Sequence, residues 1–427
     1  MIKKVNYFDK YKVIEGYDYI QKIPDKWEIL PNIAIFDERI SKGHLKEELI
    51  SVTIGRGIIK QSEIKNKKDT SNEDKSNYKL VKRGDISYNK MRMWQGAVGF
   101  SKYRGIVSPA YVVLKPKLQI NAEYYHYLFR TNYYNNYSKR FSYGLCDDQL
   151  NLRYSDFKRM YSIVPPIKDQ NHIVDFLNKK VIQADIFIKK QQRIIEILKE
   201  QKKSIIYIAI TRGLNPEIQM KNSNFEHEGI PKNWKAMKLK YCIQIMSGQV
   251  DPKRERYSSQ ILIAPNHIES GTGKIIGLET AKYQGADSGK YLVEKGDIVY
   301  SKIRPELRKV CISPIDGLCS ADMYAIKHKK FLETDFLLYY FLSDLFTILA
   351  VNASMRVAMP KVNRETLGDF LLPIPPKFEQ KQIIEYISRK IVMIDGFILQ
   401  SENEIELIKE YLETIIFKAV TGEIKVG

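Results

Sequence analysis

The chain has 427 residues, 44% of them hydrophobic, with 69 Lys and Arg against 50 Asp and Glu, a net charge of +19. That is ample apolar material for two or three packed domains, and the basic surplus points to a polyanionic partner, nucleic acid first. Four cysteines without CxxC spacing (Cys146, Cys242, Cys311 and Cys319) argue against a disulfide framework or a zinc site and fit a reducing cytoplasm.

Met1 to Lys12 is charged and aromatic throughout, so no secretory signal is expected. A first globule opens with Ile23, Pro24 and Trp27, the tryptophan reading as a core anchor. Ser51–Ile59 and Asp85–Tyr88 alternate as strands, with the polar run Lys65–Asn77 between them as a surface loop. Strand patterns continue through Ala97–Phe100 and Ala110–Lys115. A Tyr-rich helix over Glu123–Tyr137 follows, then a loop at Ser142–Gln149.

Next comes a proline-led helix. Pro165 and Pro166 precede a stretch with no further proline or glycine until Gly213. Along it Val174, Leu177, Val181, Ala184, Ile188, Gln191, Ile195, Leu198, Lys202, Ile205 and Ala209 alternate steps of three and four, a heptad seam. The pattern returns 210 residues later, behind Pro375 and Pro376, as Ile384, Ile387, Ile391, Ile394, Ile398, Ser401, Ile405, Ile408, Leu412, Ile415 and Ala419. Each seam covers 35 steps, roughly 52 Å at ~1.5 Å per residue. Two such stripes are expected to bury one another. The first helix leads away from the first globule and the second leads back, so the pair is antiparallel, with Gln191 facing Ser401.

The globule between the helices repeats the first. Ile230, Pro231 and Trp234 reopen it, and LVKRGDISYNKMR at 80–92 returns as LVEKGDIVYSKIR at 292–304 with eight of thirteen positions identical. Offsets of 207, 212 and 210 residues mark one unit of about 210 residues used twice. Its strands are expected near Gln260–Ala264, Asp297–Tyr300 and Met323–Ile326, and a helix over Asp335–Leu349. Phe336–Met355 carries the single charge Asp344, but its counterpart from Tyr124 is too polar to span a bilayer, so a buried helix is expected and no membrane span.

The segments leaving the two matched strands carry Lys90, Arg92 and Trp94, and Lys302, Arg304, Arg308 and Lys309. Arg meets guanine O6 and N7 bidentately while Lys holds phosphates, so these are candidate DNA contacts. Arg140, Tyr143 and Gln149 in the first globule, and Lys253, Arg254, Arg256 and Arg356 in the second, are further loop candidates. Catalytic signals are missing. There is no Asn/Asp-Pro-Pro-aromatic loop and no glycine-rich strand-to-helix loop for a nucleotide cofactor. Gly285–Lys290 is one residue short of a P-loop and reads as a turn, and six scattered histidines form no metal motif. No covalent chemistry and no metal are expected of this chain.

The order of these segments resembles the specificity subunits of type I restriction–modification systems. The resemblance rests on MKNSNFEHEGIPKNW at 220–234, the segments at 80–92 and 292–304, and the helix openings VPPIKDQNHIV at 164–174 and IPPKFEQKQII at 374–384. Gln149, Asn151 and Leu152 match the family's Gln-x-Asn-Leu run, whereas MRVAMPKVN at 355–363 and the first 22 residues depart from the pattern. The resemblance covers about 400 residues of the chain.

It implies a mixed α+β fold: two similar α/β target-recognition domains separated by two long antiparallel coiled-coil helices, an internal pseudo-two-fold duplication. The expected bounds are 1–164 and 214–374 for the recognition domains, 165–213 for the first spacer helix, and 375–427 for the second with its tail. The resemblance further implies a non-catalytic subunit that reads a bipartite, asymmetric duplex through the major groove. It would dock two methyltransferase subunits, which bring S-adenosylmethionine, and a translocating nuclease subunit can join. Ile173, Phe176, Phe187, Ile194 and Ile197 on the first helix, and Tyr386, Phe397, Leu407 and Tyr411 on the second, are the apolar candidates for docking. The location implied is the cytoplasm of a prokaryote, at the nucleoid. The competing readings are a type IIB-like recognition subunit and a self-contained DNA-modifying enzyme.

Overall fold

A computed structural model describes residues 6–14, 20–63, 74–222, 229–354 and 361–426. They form two compact units, one of residues 1–191 with 403–427 and one of residues 192–402. The division runs through the two long helices, Ile167–Arg212 and Lys377–Val420, so each unit holds one half of either helix.

In the first unit a sheet runs Phe36–Glu38, Tyr111–Pro116, Ile86–Asn89, Val98–Phe100, every neighbour antiparallel. Ser87 is buried between Ile86 and Tyr88, and its hydroxyl is satisfied by donating to Val112 O at 3.0 Å. Ser51–Ile59 is not one strand but a hairpin of Ile50–Thr53 and Gly57–Lys60, turned at Gly57 with φ +70°. The Tyr-rich helix is also two, Ala122–Leu128 and Asn132–Phe141, because the Thr131 hydroxyl caps a new start by accepting from Tyr134 N at 3.2 Å. The break lets Phe129 and Tyr134 meet with ring centroids 4.5 Å apart, in a core that also holds Phe36, Tyr125 and Phe157.

The first long helix is locked to this core at its start. Gln170, fully buried, donates from Nε2 to Pro165 O at 2.7 Å and accepts from Asn121 N at 2.8 Å. Trp27, also buried, donates to Asp169 Oδ2 at 2.9 Å. One turn on, Val174 and Leu177 share the core with Ala419 and Val420 at the far end of the second long helix. The beginning of one helix against the end of the other makes the pairing antiparallel within this unit.

The second unit repeats these devices. Its sheet runs Ile243–Ile245, Met323–His328, Ile298–Ser301, Val310–Ile312, again all antiparallel. A second sheet pairs Gln249–Val250, Lys290–Val293, Gly317–Cys319 and Leu262–Ile263, and only the last two of these run parallel. Apart from the Leu262–Ile263 pairing the strands of these sheets are antiparallel, and with their helices the units have the mixed α+β character expected of the chain. Gln380 donates to Pro375 O at 3.0 Å and accepts from Glu333 N at 2.9 Å, and Trp234 donates to Glu379 Oε1 at 3.0 Å. Ile206 and Ile210 pack in one core with Ile383 and Ile387, so the helix segments are antiparallel here as well.

Within each unit polar residues also join the helices. Gln191 donates to Glu404 Oε2 at 2.7 Å, its hydrogen bond going three residues past Ser401, and the Lys202 ammonium meets Asp395 Oδ1 at 2.8 Å. Val174, Leu177, Ile387, Ile394, Ser401 and Ile405 are buried. Val181, Ile188, Gln191, Ile195, Leu198, Ile384, Ile391, Ile398 and Ile408 are half-buried, and no seam residue is exposed.

The apolar run from Phe336 is two helices, Thr334–Leu342 and Asp344–Ser354, bent by 58°. Phe336, Leu337, Tyr340, Phe341 and Phe346 fill the core of the second unit. Among the described residues no single helix is long and apolar enough to cross a membrane, although this bent pair passes that test by length and composition.

Candidate nucleic-acid interface

In the first unit the strand Ile86–Asn89 ends in a tight turn, with Asn89 Oδ1 accepting from Met91 N at 2.9 Å. Met93 is buried and anchors a short 3-10 turn, Met93–Gln95, which closes at Gly96 with φ +80°. Arg92 projects outward, exposed. The Trp94 indole N–H donates to Met91 O at 3.2 Å, and the Lys139 ammonium sits 4.7 Å above its ring. Lys139 also pairs with Asp147 at 2.9 Å, which ties the turn to the loop after the helix Asn132–Phe141.

That loop is a clasp. Tyr143 and Asn151 exchange backbone hydrogen bonds of 3.1 and 2.9 Å, and a Cβ on Gly144 would come within 2.7 Å of the Gln149 carbonyl. Leu152 N then donates to Lys90 O at 2.8 Å, fixing the loop to the strand exit. The fold thus brings the strand-exit and loop candidates together: Arg92, Arg140, Tyr143 and Gln149 are exposed around a half-buried Trp94. Leu145 at the loop tip is fully exposed. This is a basic surface with aromatic and apolar points, the chemistry that meets phosphates and base edges. Lys90 stands apart, half-buried in a hollow behind the turn, where burial first and then the charges of Lys79 and Arg153 lower its pKa.

The second unit uses its strand exit differently. Lys302 donates to Ala321 O at 2.5 Å and lies 5.4 Å above the Tyr324 ring, so its ammonium has partners within the unit. Arg308, at φ +50°, pairs with Asp344 at the start of a helix and donates to Leu342 O at 3.3 Å. Lys309 donates to Pro265 O at 2.6 Å. These cations, expected at DNA, have intramolecular partners because the chain folds back over them. Arg304, at φ +49°, remains exposed, as do Lys253, Arg254 and Arg256, the last stacked 5.5 Å from Tyr257. Arg356 lies outside the described residues.

Arg364 was not singled out by the sequence, yet it stacks on Tyr291 and Tyr324 at 5.5 and 5.6 Å and donates to Met246 O at 2.7 Å. Its signal was an isolated arginine, without a motif around it. The P-loop-like turn holds no anion site: Lys290 is buried and donates back to Ser288 O and Oγ at 2.6 and 2.8 Å. Among the described residues no group of three or more His, Cys, Asp or Glu is arranged to hold a metal.

Residues 231–407 match the family described as the type I restriction modification DNA specificity domain. The type I restriction enzyme EcoDI specificity subunit of Escherichia coli is 31% identical over 348 residues, covering 77% of this chain and 76% of that protein. The putative MjaX specificity subunit of Methanocaldococcus jannaschii is 23% identical over 432 residues, covering 95% and 96%. A solved chain from a study of complex assembly and conformational transition of the type I R-M system aligns with TM-score 0.72 at 13% identity, covering 94% of this chain and 99% of its own. The HsdS subunit from Thermoanaerobacter tengcongensis aligns with TM-score 0.57 at 13% identity, covering 94% and 98%. Such structural likenesses carry the fold alone. The identity to the Escherichia coli subunit carries the family. The chain belongs to the type I restriction enzyme specificity subunits, the component that confers DNA specificity rather than catalysis.

Proposed function

We propose that each unit reads one half of a bipartite, asymmetric duplex through the major groove, and that the long helices form an antiparallel coiled-coil spacer between the two readers. The observation that carries this reading is the twin lock at the helix starts. Gln170 and Gln380, 210 residues apart along the sequence, make the same contacts, and Trp27–Asp169 returns as Trp234–Glu379. One ancestral module used twice, with pseudo-two-fold symmetry, accounts for it. The recognition domains then span 1–164 and 214–374, and the spacer helices with the tail span 165–213 and 375–427. In the first reader Arg92, Arg140, Tyr143 and Gln149 meet base edges, with Trp94 beneath them. In the second, Lys253, Arg254, Arg256 and Arg304 take that part.

The flanks of the helices supply the docking surfaces. Phe187, Ile194, Ile197, Phe397, Leu407 and Tyr411 are exposed, whereas Ile173 is buried and Phe176 and Tyr386 pack against the unit cores. An exposed apolar stripe on a spacer is suited to protein partners. Two methyltransferase subunits, bearing S-adenosylmethionine, and a restriction subunit occupy it in this reading, inside a prokaryotic cytoplasm.

The test is to express the chain with its cognate methyltransferase subunit and sequence the host methylome. The expected result is a single split, asymmetric motif that vanishes without this chain. Methyl transfer by the purified chain alone would refute the non-catalytic role. Inserting one heptad into both helices is expected to lengthen the gap between half-sites and leave each half-sequence intact.

A further inference from the structure

We propose that the hollow behind the reading turn of the first unit seats one backbone phosphate of the bound duplex, gripped by Lys90 and Arg153. The inference rests on the DNA-reading role above and assigns a separate chemistry to one part of that surface. The hollow has a volume of about 430 Å³, and Glu38, Lys79, Lys90, Asn151, Arg153 and Lys158 contribute to its lining. Four cations therefore face one carboxylate. Glu38 is already engaged, accepting from Lys79 Nζ at 3.0 Å, and Lys79 also donates to Tyr111 O at 3.0 Å. Lys90, Arg153 and Lys158 have no carboxylate partner among the described residues.

Burial first, and then the charges of Lys79 and Arg153 against the opposing pull of Glu38, disfavour the charged form of Lys90 and lower its pKa. The neutral edge of a base does not offset this surplus, whereas a phosphodiester brings one negative charge and two free oxygens. Lys meets such a group as a point charge and Arg as a planar fork. Asn151 lines the same hollow with a side-chain amide. Anchoring one phosphate here would fix the duplex against Arg92 and Gln149, since Leu152 N holds Lys90 O at 2.8 Å and couples hollow and loop. At the matching strand exit of the second unit Lys302 is spent on Ala321 O, so the seat belongs to the first unit.

The full chain, with its methyltransferase partner, is titrated with a duplex carrying its methylation motif and with a scrambled duplex over a range of salt. Lys90→Met and Arg153→Met are each expected to weaken both duplexes equally, about three- to tenfold, and to lower the slope of log K against log salt by about one. A duplex with a neutral methylphosphonate at the seated position is expected to bind the wild-type chain as weakly as Lys90→Met binds the unmodified duplex, with no further loss in the variant. Loss confined to the motif duplex would make Lys90 a base reader, and unchanged affinity in both variants would leave the hollow without an anion. Either result overturns the seat. Retention of phosphate-dependent binding with inorganic phosphate as competitor, but not with the duplex, overturns it too, as a free-anion site. Arg153 is exposed, so its variant keeps the test open if Lys90→Met fails to fold. The scrambled-duplex arm tests the seat even if the chain does not discriminate sequences.

Discussion

The Trp27 indole N–H donates to Asp169 Oδ2 over 2.9 Å, joining the first residues of the globule to the first turn of a 46-residue helix. The buried indole has its one polar atom satisfied by a residue 142 positions away, and the acidic side chain sits where the helix dipole favours it. Asp169→Ala would leave that donor unpaired. We expect a loss of about 1–3 kcal/mol, and the same from Glu379→Ala, where Trp234 and Asn233 both donate to the carboxylate. Chemical denaturation of each variant checks this, and a loss at neither site would show that the lock contributes nothing to stability.

Arg308 and Arg92 both follow the matched strands, Arg308 four residues past Arg92's counterpart Arg304, but are expected to behave oppositely. Arg308→Ala breaks the pair with Asp344 and the hydrogen bond to Leu342 O, and its Cβ keeps the strain of the left-handed backbone. It should cost about 1–3 kcal/mol of stability while leaving sequence preference intact. Arg92→Ala should leave the melting temperature unchanged and weaken the motif duplex by about 1–3 kcal/mol relative to a scrambled one. Parallel melting and binding curves separate the two.

Gly396 lies in the middle of the second long helix, exposed, with nothing within 4 Å of where a Cβ would stand. Glycine there costs helix stability without a packing reason. Gly396→Ala is expected to stabilise the chain by about 0.5–1 kcal/mol, read as a rise in denaturation midpoint with an unchanged slope.

His126 is half-buried on the helix Ala122–Leu128, and burial, followed by the charges of Arg130 and Lys102, pushes its imidazole down to about 3. The unfolded imidazole binds a proton near pH 6.5 while the folded one does not. Stability conferred by the neutral ring is therefore complete above about pH 6.5 and is lost progressively as pH falls toward 3, by at most about 1.4 kcal/mol per pH unit. His126→Gln should shrink the stability difference between pH 7 and pH 5. Equal pH sensitivity in variant and parent would show that this ring does not govern it.

Much of the architecture was legible because it is written in periodicity and repetition. A seam of three- and four-residue steps leaves a long helix no choice but to bury one stripe. The return of Trp27 as Trp234 and of Gly84-Asp85 as Gly296-Asp297 exposes the two-unit plan without coordinates. Helix breaks were not legible. Thr131 and Ser343 are ordinary residues inside periodic runs, and only the aromatic cores they serve fix where the helices turn. The basic candidates divided for a related reason. A sequence gives the charge of Lys302, Arg308 and Arg92 alike, but whether a carbonyl or carboxylate reaches each one depends on how distant segments fold back. The tertiary structure alone paired Arg308 with Asp344, left Arg92 open, and gathered Lys79, Lys90, Arg153 and Lys158 around one hollow. Local patterns fix which faces must leave water, and long-range contacts decide which charges remain in it.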